Sequence, residues 1–312
     1  MSDPAVVLDD LREESEALDV LVGGVSGERW SAPTPAAGWT VAHQIAHLAW
    51  TDRAALLAVT DPDGFAAEAA KALAAPERFV DDGAEEGATL PPDELLARWR
   101  EGRELLQEAL RGVPAGGRFP WYGPPMSAPA LATARLMETW AHGQDVADAL
   151  GVVRPPTDRL RHVAWIGHRA RGYAYLVRGL PVPAEPVRVE LVSPGGELWV
   201  YGPEDAAQTV AGPALDFCLL VTQRVHRDDT ALVAVGADAA QWLTLAQAFA
   251  GPAGPGRPAR EAHPAREAHP AEEVRPAREA HPAREAHPAE EVRRPAEGAK
   301  APRAARPAEG DR

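Results

Sequence analysis

Residues 127–151 read SAPALATARLMETWAHGQDVADALG. The stretch predicts one long helix. Ser127 is a good N-cap, Pro129 falls in the first turn where a missing N–H costs nothing, and Gly151 suits the left-handed stop. Glu138 and His142 stand four residues apart, so both side chains leave the helix on one face. Their neighbours on that face, Leu131, Ala134, Ala141 and Ala149, are small or apolar. A carboxylate and an imidazole facing a core are costly to bury without partners. Together they make two-thirds of a three-donor metal site. A Glu-x-x-x-His pair is also a common surface ion pair, so a third donor from another helix decides between the two.

Upstream, Thr40 is a plausible cap for VAHQIAHLAWTDRAALLAVT, residues 41–60, which turns Val41, Ile45, Leu48 and Leu56 toward a core. His43 and His47 lie on it, again four apart. Spacing alone admits either as the third donor. His47 is preferred, since it sits one turn deeper beside Ala46, Leu48 and Trp50, whereas His43 is in the first turn. Two imidazoles and a carboxylate suit zinc first, and also nickel, manganese or iron.

The rest of the chain supplies two more long helices. Asp3-Pro4 opens one that carries Val7, Leu11, Leu18, Leu21 and Val22 to about Val25. Pro91-Pro92 opens another, DELLARWREGRELLQEAL, with Leu96, Trp99, Leu106 and Leu110 on its apolar face. Between them, residues 61–90 read as loop, with an alanine-rich helical piece at 65–73 and an acidic run. RFPWYGPPM, residues 118–126, delivers the chain to the central helix. Its Trp121 and Tyr122 fit either a pocket mouth or the core. Asp145 either orients the second nitrogen of His142 or shares a solvated face with Asp148. The architecture these elements imply is a four-helix bundle with polar donors in its core, a mainly α fold.

After Gly151 the pattern changes. Thr157-Asp158 predicts the start of a helix to about Arg178, carrying His162 and His168, which read with His226 as surface or packing residues. VRVELVSPGGELWVYG, residues 187–202, alternates in period two about a Pro-Gly-Gly turn and reads as a β-hairpin. Helices are expected at 213–225 and 238–249, with a strand-like ALVAV between them. From 254 onward the chain is low complexity. PAREAHPAREAHPAEEVR occurs twice, at 258–275 and 276–293, and proline about every sixth residue prevents a continuous helix. The expected organisation is a bundle at 1–151, a connector at 152–184, a small α+β domain at 185–252 and a disordered repeat tail at 253–312. The tail histidines, His263, His269, His281 and His287, read as by-products of the repeat.

Net charge is −14, and residues 1–256 hold 20 basic against 35 acidic side chains, about −15. That balance argues against nonspecific nucleic-acid binding. Cys218 is the one cysteine, which excludes an intramolecular disulfide, a cysteine-rich zinc site and an iron–sulfur cluster. No apolar run reaches membrane-helix length and the N-terminus is acidic, so a cytoplasmic location with no membrane association is expected.

GWTVAHQIAHLAWTDRA, followed about ninety residues later by METWAHGQDVADALG, resembles the metal-binding domain of mycothiol-dependent maleylpyruvate isomerases, within the DinB-like four-helix superfamily. The likeness covers about residues 5–150. It implies a metal triad of His47, Glu138 and His142, a low-molecular-weight thiol such as mycothiol as co-substrate, and a small electrophile as its partner in thiol transfer or isomerisation. Residues 185–250 are similar to the small domain that accompanies this bundle. By that resemblance Arg224, in LLVTQRVHRD, is the candidate for substrate binding and catalysis; the plain alternative is a helix-end arginine favoured by the dipole. Two other functions stay open: a metal-binding or sensing module without catalysis, and an accessory role in tRNA wyosine formation.

Overall fold

The computed structural model describes residues 4–74, 78–254 and 256–260. Four long helices form the bundle: α1 (Pro4–Gly23), α2 (Val41–Thr60), α5 (Pro92–Arg111) and α6 (Ala128–Leu150), with α3 (Pro62–Ala74) and α4 (Phe79–Ala88) between α2 and α5. α2 packs on α5 and α6, and α1 packs on α6. The central helix has the expected ends. The Ser127 hydroxyl accepts from the Ala130 N–H, and Gly151 closes the helix at φ 68°. α2 begins at a capping box in which the Thr40 side chain and His43 satisfy each other's first-turn donors.

α4 differs from the expected loop. FVDDGAEEGA turns a stripe of small and apolar residues, Phe79, Gly83, Ala84, Gly87 and Ala88, away from solvent. Its two glycines allow a close approach to α2, where a Cβ at Gly83 would meet Trp50 at 2.8 Å and one at Gly87 would meet Ala46 at 2.7 Å. The aromatic crossing before α6 holds a short ribbon, β1 (Arg118–Phe119) paired with β2 (Met126–Ser127).

Beyond Gly151 the expected single helix is two, α7 (Leu160–Arg169) and α8 (Arg171–Leu176), broken at Ala170 where ψ is 2°. The break turns Tyr175 into the core, where its hydroxyl donates to the Asp238 carbonyl. Asp158 does not cap α7. Its carboxylate accepts from Gly195 N–H in the hairpin turn. The hairpin is as read: β3 (Val187–Val192) pairs antiparallel with β4 (Leu198–Tyr201). β5 (Gln208–Pro213) runs parallel to β3. After α9 (Ala214–Val221), β6 (Val233–Val235) pairs antiparallel with β5, giving the order β4-β3-β5-β6. α10 (Ala237–Leu245) follows. Val187, Val189, Leu191 and Val210 point into the core, in one apolar cluster with Leu131, Leu136 and Trp140 of α6. Folded contacts run on past residue 253, where the tail was expected to begin, because Arg257 pairs with Asp145 and Asp148 of α6. The expected disorder of the repeats and the four tail histidines lie outside the described residues.

Candidate metal centre

His47 comes from the middle of α2, and Glu138 and His142 come from successive turns of α6. Packing of α2 on α6 brings the three together. Glu138 Oε2 lies 3.1 Å from His142 Nε2 and 3.5 Å from His47 Nε2, and one donor atom from each residue falls within 4.8 Å of the others. His47 is buried; the other two are partly so. His43 is turned elsewhere. Its Nδ1 accepts from the Thr40 N–H at 3.3 Å, and its Nε2 faces Glu85 of α4 at 2.8 Å.

Burial pushes the His47 imidazole down to about 4, with the charge of His142 acting in the same direction against Glu138. Burial alone would raise the Glu138 carboxyl, but its hydrogen bonds with His142 and His47 hold it well below the usual carboxylate range. At neutral pH the pair is therefore neutral imidazole and ionised carboxylate, the forms that bind a metal.

His142 is oriented from its far side. Its Nδ1 lies 2.5 Å from Gln44 Oε1, the Gln44 amide donates to Thr34 Oγ1 at 2.9 Å, and Thr34 Oγ1 donates to the Trp39 carbonyl at 2.9 Å. With the Thr34 hydroxyl donating to that carbonyl, Gln44 gives Thr34 its NH2 and His142 its oxygen. Nδ1 then donates to Gln44, which leaves Nε2 facing Glu138. A cation seated there would be bound by Nε2 and the carboxylate together, across the 3.1 Å that separates them. His47 Nδ1 is buried without a partner. One carboxylate and two imidazoles converging from two helices fit a divalent cation.

Aromatic rings wall the cluster. Trp39 lies 5.9 Å from the His142 ring at an interplanar angle of 19° and 5.4 Å from His47, and its indole N–H donates to Asp81 of α4 at 3.0 Å. Trp50 is 5.9 Å from His47 and 4.9 Å from Phe79, which continues to Tyr122 at 5.6 Å. Trp121 and Tyr122 thus stand behind the aromatic wall of the site rather than against the donors. Next to Glu138 in the core, Arg135 Nε donates to Asp52 Oδ1 at 2.8 Å, a buried pair within the bundle.

Asp145 is neither solvated nor a partner of His142. It is 3% exposed and accepts from Arg224 Nη2 at 2.7 Å and Arg257 Nη2 at 2.6 Å. Arg224 also donates to the Thr222 carbonyl at 2.5 Å, so its hydrogen bonds go to Thr222 and Asp145 rather than to the cluster. His162 meets Asp10 at 2.7 Å, His168 meets the Val187 carbonyl, and His226 caps Asp228, the packing and surface roles expected of them. Gln44, Trp39 and the Asp52–Arg135 pair are the members that reading from sequence missed. Gln44 alone left a signal, a polar residue at helical spacing among Val41, Ile45 and Leu48.

A bundle of four long helices with His, Glu and His meeting across its second and last members has a DinB-like fold. Residues 11–147 match the mycothiol maleylpyruvate isomerase N-terminal domain model, and residues 183–235 match a model for wyosine base formation. Crystal structures of mycothiol-dependent maleylpyruvate isomerase and of a single-site mutant of it superpose with a TM-score of 0.51, at 18% and 17% identity, covering 75% of this chain and 93% of theirs. That likeness is one of fold. Two uncharacterized proteins of Mycobacterium tuberculosis, from strains CDC 1551 / Oshkosh and H37Rv, are each 58% identical over 257 residues, covering 82% of this chain and 100% of the relative. Residues 11–147 thus carry a mycothiol maleylpyruvate isomerase N-terminal domain, and as a whole the chain belongs to one family with the two Mycobacterium tuberculosis proteins.

Proposed function

We propose that the chain holds a divalent metal ion on His47, Glu138 and His142 and uses it for thiol chemistry on a small electrophile, by transfer or isomerisation. The observation that carries this reading is the meeting of three donor atoms from two helices within 4.8 Å, with His142 aimed by Gln44. Zinc suits the donor set first; nickel, manganese and iron suit it as well. When bound, the ion supplies the positive charge that lowers the pKa of a low-molecular-weight thiol such as mycothiol, so that thiolate exists near neutral pH.

The chain's own residues do the rest. Burial keeps His47 unprotonated, so it offers a lone pair instead of a charge. Glu138 stays ionised and balances part of the cation's charge. Trp39 and Trp50 cover the imidazole faces and restrict water there. The thiol must come from outside. Cys218 is buried, its Sγ lies 3.5 Å from the Leu160 carbonyl, and burial pushes its thiol up, away from the reactive form.

Metal content decides the reading. About one equivalent of zinc is expected in the purified, zinc-equilibrated full chain and less than a tenth of that in the Glu138→Ala/His142→Ala double variant. Equal metal in both would overturn the ligand assignment.

One observation favours a second reading, a metal-binding or sensing module without turnover. Arg224, the residue that resemblance assigns to substrate, is committed to Asp145 and Thr222. That reading expects stoichiometric metal but no thiol consumption with any electrophile. The match of residues 183–235 to a wyosine-formation model supports a third, an RNA-modification accessory. Acidic net charge opposes it, and no tRNA retention at low salt would remove it.

A further inference from the structure

We propose that Gln44, held by Thr34, is a positioning residue that selects the His142 tautomer and so presents Nε2, not Nδ1, to the cation site; this rests on the metal reading of the cluster. Gln44 is 0% exposed and lies on α2 three residues before His47, so the same helix that supplies one donor also orients the donor on the opposite helix. Its oxygen is 2.5 Å from His142 Nδ1 and its nitrogen 2.9 Å from Thr34 Oγ1. A primary amide read in isolation could be turned over, with nitrogen toward the ring. Thr34 forbids that. Both its backbone N–H and its hydroxyl donate to the Trp39 carbonyl, at 2.8 Å and 2.9 Å, which leaves the hydroxyl oxygen free only to accept.

The relay closes on itself. Trp39 ends the hydrogen-bond chain with its carbonyl and lies nearly parallel to the His142 ring with its indole. One loop therefore fixes both the tautomer and the plane of that ring, while Asp81 of α4 holds the indole from outside. His47 has no such device, since its Nδ1 lacks a partner. The two imidazoles are unequal: Nδ1 of His142 has an acceptor beside it, and Nδ1 of His47 has none. Metal-bound histidines commonly give their second N–H to an acceptor, and losing that acceptor weakens affinity about 10- to 100-fold. Here the acceptor is a neutral amide whose direction depends on a threonine outside the helix.

Two measurements on the full chain test this. In the metal-free protein, long-range 1H–15N NMR of the imidazoles should show His142 protonated at Nδ1. In Gln44→Leu that signature should be lost, and the zinc dissociation constant, from competition with a chelator at pH 7.5, should rise about 10- to 100-fold. Gln44→Glu keeps the acceptor and should stay within about threefold of the parent; Thr34→Val should fall between. Circular dichroism and melting of each variant exclude unfolding as the cause. An Nε2–H tautomer in the parent, or zinc affinity in a folded Gln44→Leu within twofold of it, overturns the proposal. A parent with the Nδ1–H tautomer but no zinc affinity overturns the metal reading instead, and reduces the relay to a buried hydrogen-bond network.

Discussion

A carboxylate that is 3% exposed and holds two guanidinium groups is costly to remove. Asp145→Ala strands Arg224, and breaking a buried pair from one side costs about 3–5 kcal/mol. The urea midpoint should fall accordingly, with Asp145→Asn, which keeps an acceptor, losing less; an unchanged midpoint would mean that water replaces the pair. The buried imidazoles give stability a pH dependence of known sign. His47 is pushed down to about 4, and His162 and His168 are lowered as well, in each case by burial first. A histidine with a depressed folded pKa contributes stability above its unfolded value, about 6.5, and loses it as pH falls toward the folded one. Metal-free protein should therefore lose on the order of 2 kcal/mol from His47 between pH 7.5 and 5. Urea unfolding at the two pH values checks this, and His47→Gln should flatten the difference. Residue types and spacing made Glu138, His142 and His47 legible as a candidate site. The partners of Asp145 were not, because Arg224 and Arg257 lie 79 and 112 residues away in sequence and no local pattern links them.

Among the elements, α4 shows how glycines on its covered face seat a helix against its neighbour. Its register is set by absent side chains. Gly87 would place a Cβ 2.7 Å from that of Ala46, and 3.3 Å from its Cα, which cannot move aside as a flexible side chain would. Glycine ordinarily costs a helix about 0.5–1 kcal/mol relative to alanine, so propensity alone favours Gly87→Ala. The contact opposes it, since overpacking costs about 1–3 kcal/mol. Gly87→Ala should therefore lower the melting temperature. Gly102→Ala in α5, where a Cβ meets nothing within 4 Å, should raise it. Both substitutions raising it would show that α4 is not seated on α2 as described. The long helices of the bundle were readable because each opens on a proline or a capping residue and carries apolar residues at helical spacing. The division of residues 160–176 into α7 and α8 was not, because it answers to the burial of Tyr175, a tertiary demand. The same holds for the parallel pairing of β3 with β5. The β3–β4 hairpin announces itself through its turn, but parallel partners share no turn to mark them.

For the molecule as a whole, composition marks a boundary that the folded contacts cross. Proline-rich sequence begins near residue 253, yet Arg257 reaches back to Asp145 and Asp148, and the Arg260 N–H donates to Asp229 at 2.9 Å. Composition reports whether a segment can build a core of its own; it says nothing about whether a few of its side chains fasten to someone else's. Residues 256–260 do the latter, and Arg257 fastens to the C-terminal half of the helix that carries Glu138 and His142. Chains ending after Arg260 and after Pro252 should therefore differ. The shorter one loses two charge-assisted contacts to α6, and a hydrogen bond to a charged group contributes about 1.5–3 kcal/mol. Asp145 keeps Arg224 in the shorter chain, which places the loss near the low end of that range, a few degrees of melting temperature for a fold of this size. Arg257→Ala in the full chain should reproduce most of the loss, because the contact and not the length is responsible. Equal melting temperatures for the two truncations would place the true end of the fold where composition puts it, and would make the Arg257 pairs surface contacts of little worth.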